Sequence, residues 1–84
     1  MAEGSELLNA LGSAAKERRK TELGLTQETM ANDSTLNQMW ISQMENGRKN
    51  ITLLQLARLA DALEITMAEL LARTERHWRQ GERR

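Results

Sequence analysis

The sequence predicts an all-α fold, one compact domain of five helices. Three observations predict it. Proline is absent, and so are Val, Tyr and Phe, the residues that fill strands. Apolar residues recur at three- and four-residue spacing rather than in alternation. Thr, Asn and Gly stand where helices of that spacing would begin and end.

Each element has a local reason. The first helix is expected after Ser5 and as far as about Leu23. Leu7, Leu8, Leu11, Ala14 and Ala15 form its apolar side, and Gly24 is a natural stop. The second takes Thr26 as N-cap, with Glu28 in the first turn, where the helix dipole favours a carboxylate. Asn32, Asp33 and Ser34 supply turn chemistry. The third takes Asn37 as N-cap and Gly47 as terminator; Ile41 and Met44, three apart, share one face. The fourth opens on Thr52-x-x-Gln55, a capping box, and turns Leu53, Leu56, Leu59, Ala60 and Leu63 inward. The fifth opens on a second box, Thr66-x-x-Glu69, with Met67, Leu70 and Leu71 inward. The closing stretch RTERHWRQGERR is expected to extend this helix for a turn or two and then fray. No Pro/Gly/Ser-rich linker or internal repeat divides the chain. Residues 1–84 therefore read as one domain, with a core over about 5–72 and a helical extension or tail over 73–84.

Composition excludes several functions. A chain of 84 residues buries only about 60–65% of its unfolded surface. With no cysteine, disulfides and thiolate metal sites are unavailable. His77 is the one histidine and has no partners at metal spacing, so no metal or cofactor is expected. No nucleophile–base set is evident, which argues against an enzyme. No apolar run is long enough for a membrane span. The start MAEGSELLNALGSAAK lacks the basic-then-apolar pattern of a secretory signal, so the expected location is the cytoplasm. Net charge is zero, yet the cations are grouped. Lys16, Arg18, Arg19 and Lys20 precede the first turn, Arg48 and Lys49 follow the third helix, and Arg73, Arg76, Arg79, Arg83 and Arg84 load the tail. Such patches can hold phosphates even on a neutral protein, or can simply be solvated faces.

The third helix carries the functional signal. Its non-core residues, Asn37, Gln38, Met39, Trp40, Ser42 and Gln43, are rich in amides and poor in charge. A glutamine amide donates and accepts at once and pairs with adenine in the major groove. The third helix should therefore read DNA, with Gln38 and Gln43 on base edges and Met39 against a thymine methyl. Trp40 has two readings that are compatible: indole N–H to a phosphate, or packing near Met30 to close the core. Ser42 is open between phosphate and solvent. Asn46, Arg48 and Lys49 should grip the sugar–phosphate backbone, which positions without specifying.

The chain resembles the Cro/C1-type, or XRE, helix-turn-helix family. The matching residues are Leu25-Thr26-Gln27-Glu28, Ala31, Leu36, Ile41-Ser42-x-Met44-Glu45-x-Gly47-Arg48, Asn50-x-Thr52-Leu53, Leu56-Ala57-Arg58-Leu59-Ala60-x-Ala62-Leu63 and Ile65-Thr66-x-x-Glu69-Leu70-Leu71. The likeness covers residues 11–71 and implies a five-helix lambda-repressor-like domain. It implies that Gln27, at the start of the second helix, contacts a phosphate. Thr35 and Glu64 stand where the family usually has glycine, so the turn at Thr35 should be reshaped. The family pairs a first-helix arginine with the glutamate matching Glu45; Lys20 stands at that position, so a looser pair is expected. Trp40-Ile41-Ser42, Glu45 and Arg48-Lys49-Asn50-Ile51-Thr52 are similar to the controller proteins of restriction–modification systems.

The resemblance also implies partners. One reading helix sees few base pairs, and family members bind double-stranded DNA as twofold dimers on near-palindromic operators, half-sites about 34 Å apart. The homodimer interface is expected in the fifth helix and tail, through Met67, Leu71, His77 and Trp78, although Trp78 can instead fold onto its own core. Controllers repress or activate according to their placement relative to RNA polymerase. The rival reading is a protein-interaction module on the same fold, an antitoxin or adaptor.

Overall fold

The computed structural model describes residues 2–82. Among them the chain forms five α-helices: α1 (Ala2–Lys16), α2 (Gln27–Asn32), α3 (Gln38–Glu45), α4 (Leu53–Ala62) and α5 (Met67–Glu82). α1 begins before Ser5, and α5 continues to Glu82. α1 passes without a break into a π-helical turn, Glu17–Glu22. That wider turn ends with the Leu23 N–H donating to Arg18 O at 3.0 Å and the Leu25 N–H donating to Arg19 O at 2.9 Å. A π turn holds more residues than an α turn, so side chains beyond it rotate away from their α-helical positions.

α1 and α5 lie side by side as the widest contact, α1 also meets α3, and α2 packs on α3. Between them sit Leu11, Ala14, Ala15, Met30, Ile41, Met44, Leu56, Leu59, Ala60, Leu63 and Leu70. Each large side chain buried there contributes about 1.5–3 kcal/mol by leaving water. Alanine and glycine on the inner face of α1 let the neighbouring helices approach closely. Thr74 is the polar exception on α5; its hydroxyl donates to Leu70 O at 2.8 Å and is thereby satisfied.

The caps follow the sequence closely. Thr26, Asn37 and Thr52 each accept a backbone N–H at the start of α2, α3 and α4. The Thr52–Gln55 box is complete in both directions. The Thr66 hydroxyl accepts the Glu69 N–H, but the Glu69 carboxylate turns away to Arg73 at 2.8 Å. A guanidinium one turn along the same helix face outcompetes a backbone amide because the charged bond is stronger.

α3 and α4 end in the same double-bonded cap. After α3, Gly47 N–H donates to Met44 O and Arg48 N–H to Gln43 O; after α4, Glu64 N–H donates to Asp61 O and Ile65 N–H to Ala60 O. The first has glycine at φ 72°, and the second has Glu64 at φ 59°, a left-handed conformation that costs a side-chain-bearing residue. Thr35, by contrast, does not adopt positive φ. Its turn is built instead from Ser34, whose hydroxyl accepts the Leu36 N–H at 3.1 Å.

Four inward expectations fail. Leu53 is 74% exposed, because as first residue of α4 it projects from the end of the helix rather than over the core. Met67 and Leu71 flank the buried Leu70 and stay partly in solvent. Leu7, on the outer edge of α1, is likewise exposed. With Leu8, Ile51 and Leu56, residues Leu7, Leu53 and Leu71 line one apolar groove. No described helix is long and apolar enough to cross a membrane.

Candidate nucleic-acid interface

α3 is short, eight residues or ~12 Å at 1.5 Å per residue. Ile41 and Met44 are wholly buried and root it in the core. The opposite side is left outward. Gln38 and Met39 are exposed, Met39 at 71%, while Ser42 and Gln43 are half-buried. The Asn37 carboxamide accepts the Trp40 N–H at 2.7 Å, which holds the first turn in shape beneath Gln38 and Met39. The Trp40 side chain is half-buried and packs against the core cluster.

The far end of α3 is clamped. Glu45 receives Arg19 Nε at 2.6 Å and Arg19 Nη2 at 2.9 Å. Arg19 Nη1 donates to Leu25 O at 2.6 Å, and the Gln27 amide donates to Glu45 Oε1 at 3.0 Å. The pair expected between Lys20 and Glu45 is therefore made by Arg19, and it is a two-pronged bond rather than a loose one. The cause is the π turn, which brings Arg19 inward and leaves Lys20 in solvent. Sequence spacing carried no mark of this winding; the adjacency of two arginines before Lys20 was the one available hint.

Lys20 instead lines a shallow groove with Lys16, Thr26, Gln27 and Gln38. Two cations, the start of α2 and the start of α3 thus share one concavity. On the other side, Arg48 is exposed and Lys49 half-buried, and neither forms an ion pair among the described residues. Asn46 turns its amide back onto Ser42 O at 2.9 Å, capping α3.

Much of the remaining basic charge is already engaged. Arg18 bonds Glu22 at 3.0 Å and Leu63 O at 2.9 Å. Arg73 bonds both Glu22 and Glu69. These two guanidinium groups, Arg73 first and Arg18 second, hold the Glu22 carboxyl below its ordinary value of 4.5. Arg79 pairs with Glu75. The tail is thus less cationic in effect than in composition; Arg83 and Arg84 lie outside the described residues. On α5, Met67 and Leu71 are exposed, whereas His77 and Trp78 are half-buried. His77 Nε2 lies 3.6 Å from Glu17, and Trp78 Nε1 is sealed from solvent with no acceptor among the described residues.

Residues 16–70 match the helix-turn-helix family. The control protein C.MunI of a Mycoplasma species is 34% identical over 65 residues, covering 77% of this chain and 88% of that protein. Among solved structures, the restriction-modification controller protein C.AhdI of Aeromonas hydrophila superposes with a TM-score of 0.68 at 36% identity, over 75% of this chain and 94% of that one. The clp gene regulator ClgR of Corynebacterium glutamicum superposes with a TM-score of 0.81 at 26% identity, over 90% and 80%. With an outward amide face on α3 and the family match spanning most of the domain, the chain belongs to the XRE-type helix-turn-helix family of DNA-binding transcriptional regulators.

Proposed function

We propose that the protein is a sequence-specific regulator that binds a near-palindromic operator as a homodimer and reads the major groove with α3. The observation that carries this is the outward Gln38–Met39 tip of α3, flanked at one end by Lys16 and Lys20 and at the other by Arg48 and Lys49. Gln38 and Gln43 take base edges and Met39 a thymine methyl. Gln27 retains one amide hydrogen for a phosphate after bonding Glu45, and Arg48 and Lys49 hold the backbone beyond α3. Trp40 and Ser42 contribute at the groove wall, and Asn46 through the amide hydrogen its cap leaves over.

The dimer forms through the exposed apolar side of Met67 and Leu71, extended by Leu7 and Leu53, with His77 and Trp78 at its margin. Likeness to C.MunI and C.AhdI supports a controller role in a restriction–modification system, where placement beside a promoter decides whether RNA polymerase is blocked or recruited. A partner-binding module would instead need an apolar patch on α3, and the outward side of α3 is amide-rich.

The test is selection of bound sites from random duplexes, then footprinting and sedimentation. A symmetric site with half-sites about one turn apart, and a dimer in solution, are expected. Recovery of no preferred sequence, or a protein that stays monomeric on its site, would overturn the reading.

A further inference from the structure

The side of α1 that meets the end of α3 is too close for side chains. Gly12 is buried there. A Cβ added to it would lie 2.5 Å from Glu45 O and 2.7 Å from Met44 O. Both are backbone atoms of the last turn of α3, so no side-chain rotation could make room. One turn earlier on α1, Asn9 lies against Gly47, whose own added Cβ would collide with the Asn9 side chain. About two turns later, within the π turn, Arg19 grips Glu45. Asn9, Gly12 and Arg19 thus form one seam along the first helix, and the C-terminal turn of α3 is seated on it.

We propose that Gly12 is a specificity-determining positioning residue, which sets the depth at which the end of α3 sits and so the reach of Gln43. The inference rests on α3 being the reading helix. Relieving a 2.5 Å approach to ordinary contact moves the last turn of α3 outward by about 1 Å. The window for a good hydrogen bond is only about 0.5 Å wide. A short amide on a rigid helix cannot follow such a shift; the long flexible chains of Arg48 and Lys49 can. Gly12 thereby governs base discrimination, while backbone grip is insensitive to it.

The test compares wild type, Gly12→Ala, Asn9→Ala and Leu63→Ala by binding to the selected operator duplex and to a scrambled duplex, across a salt series, with Tm recorded for each. For Gly12→Ala the operator-to-scrambled affinity ratio is expected to fall about tenfold, as for a lost base contact, with scrambled-duplex affinity and salt slope unchanged. Leu63→Ala, a core truncation at the end of α4, adds no bulk between α1 and α3; it lowers Tm and leaves the ratio intact. If Gly12→Ala does not fold, Asn9→Ala decides, since it opens the seam beside Gly47 from an exposed position; a several-fold fall in the ratio at unchanged Tm supports the seam. A folded Gly12→Ala with the full ratio overturns the inference, as does an equal loss in Leu63→Ala. A wild type with no operator preference overturns the DNA-reading function itself and this inference with it.

Discussion

Arg19 and Glu45 meet in a two-pronged ion pair, with only 7% and 3% of their side chains exposed, that ties the π turn after α1 to the end of α3. Removing one partner leaves the other buried and uncompensated. Glu45→Ala or Arg19→Ala is expected to cost about 3–5 kcal/mol of folding stability, measured by denaturant unfolding. A loss below 1 kcal/mol would mean the pair is not dry in solution.

Gln38→Ala and Gln43→Ala should each relax base preference at their own operator position, by about 1–3 kcal/mol per lost contact. Competition binding with single-base operator variants reads this directly. Variants that keep wild-type discrimination at every position would remove these residues from the reading set.

Arg48→Ala is expected to weaken binding to every duplex alike and to reduce the slope of log affinity against log salt by about one. An unchanged slope would show that Arg48 touches no phosphate.

Glu64 occupies a left-handed position that glycine adopts without strain. Glu64→Gly is expected to stabilise the protein by about 1 kcal/mol, raising Tm by roughly 4–8 °C for a domain of this size. The Arg18 bond to Glu64 O survives, because it uses the backbone. A lower Tm would show that the Glu64 side chain has an unrecognised partner.

Arg73, with Arg18 behind it, holds the Glu22 carboxyl below its ordinary 4.5. A folded-state value below the unfolded one adds stability above the unfolded pKa, and this is lost as pH falls through the folded value. Wild type should therefore melt above Glu22→Gln at neutral pH, with the gap closing only below about pH 4.5. A gap independent of pH across that range would count against the ion pairs.

How legible this was in the sequence depended on range. Caps at Thr26, Asn37 and Thr52 are short patterns of donor and acceptor, so their positions could be read directly. The Thr66 box was only half right, because Arg73 competes for Glu69 from a turn away. The Lys20 assignment failed because a π turn leaves no spacing signature, and one residue of rotation exchanges an inward cation for an outward one. Leu53 misled because hydrophobicity marks a stripe but not where the stripe starts. The seam at Gly12 was invisible: a glycine inside a helix is silent until the neighbouring backbone is known.

Arginines bonded within the fold and cations left on its rim respond differently to electrolyte. Added salt strips condensed ions of their entropic advantage and frees the duplex, whereas the sheltered Arg19–Glu45 clasp hardly feels it. The protein should let go of DNA intact, so that a moderate rise in ionic strength recovers folded, reusable protein rather than a denatured chain.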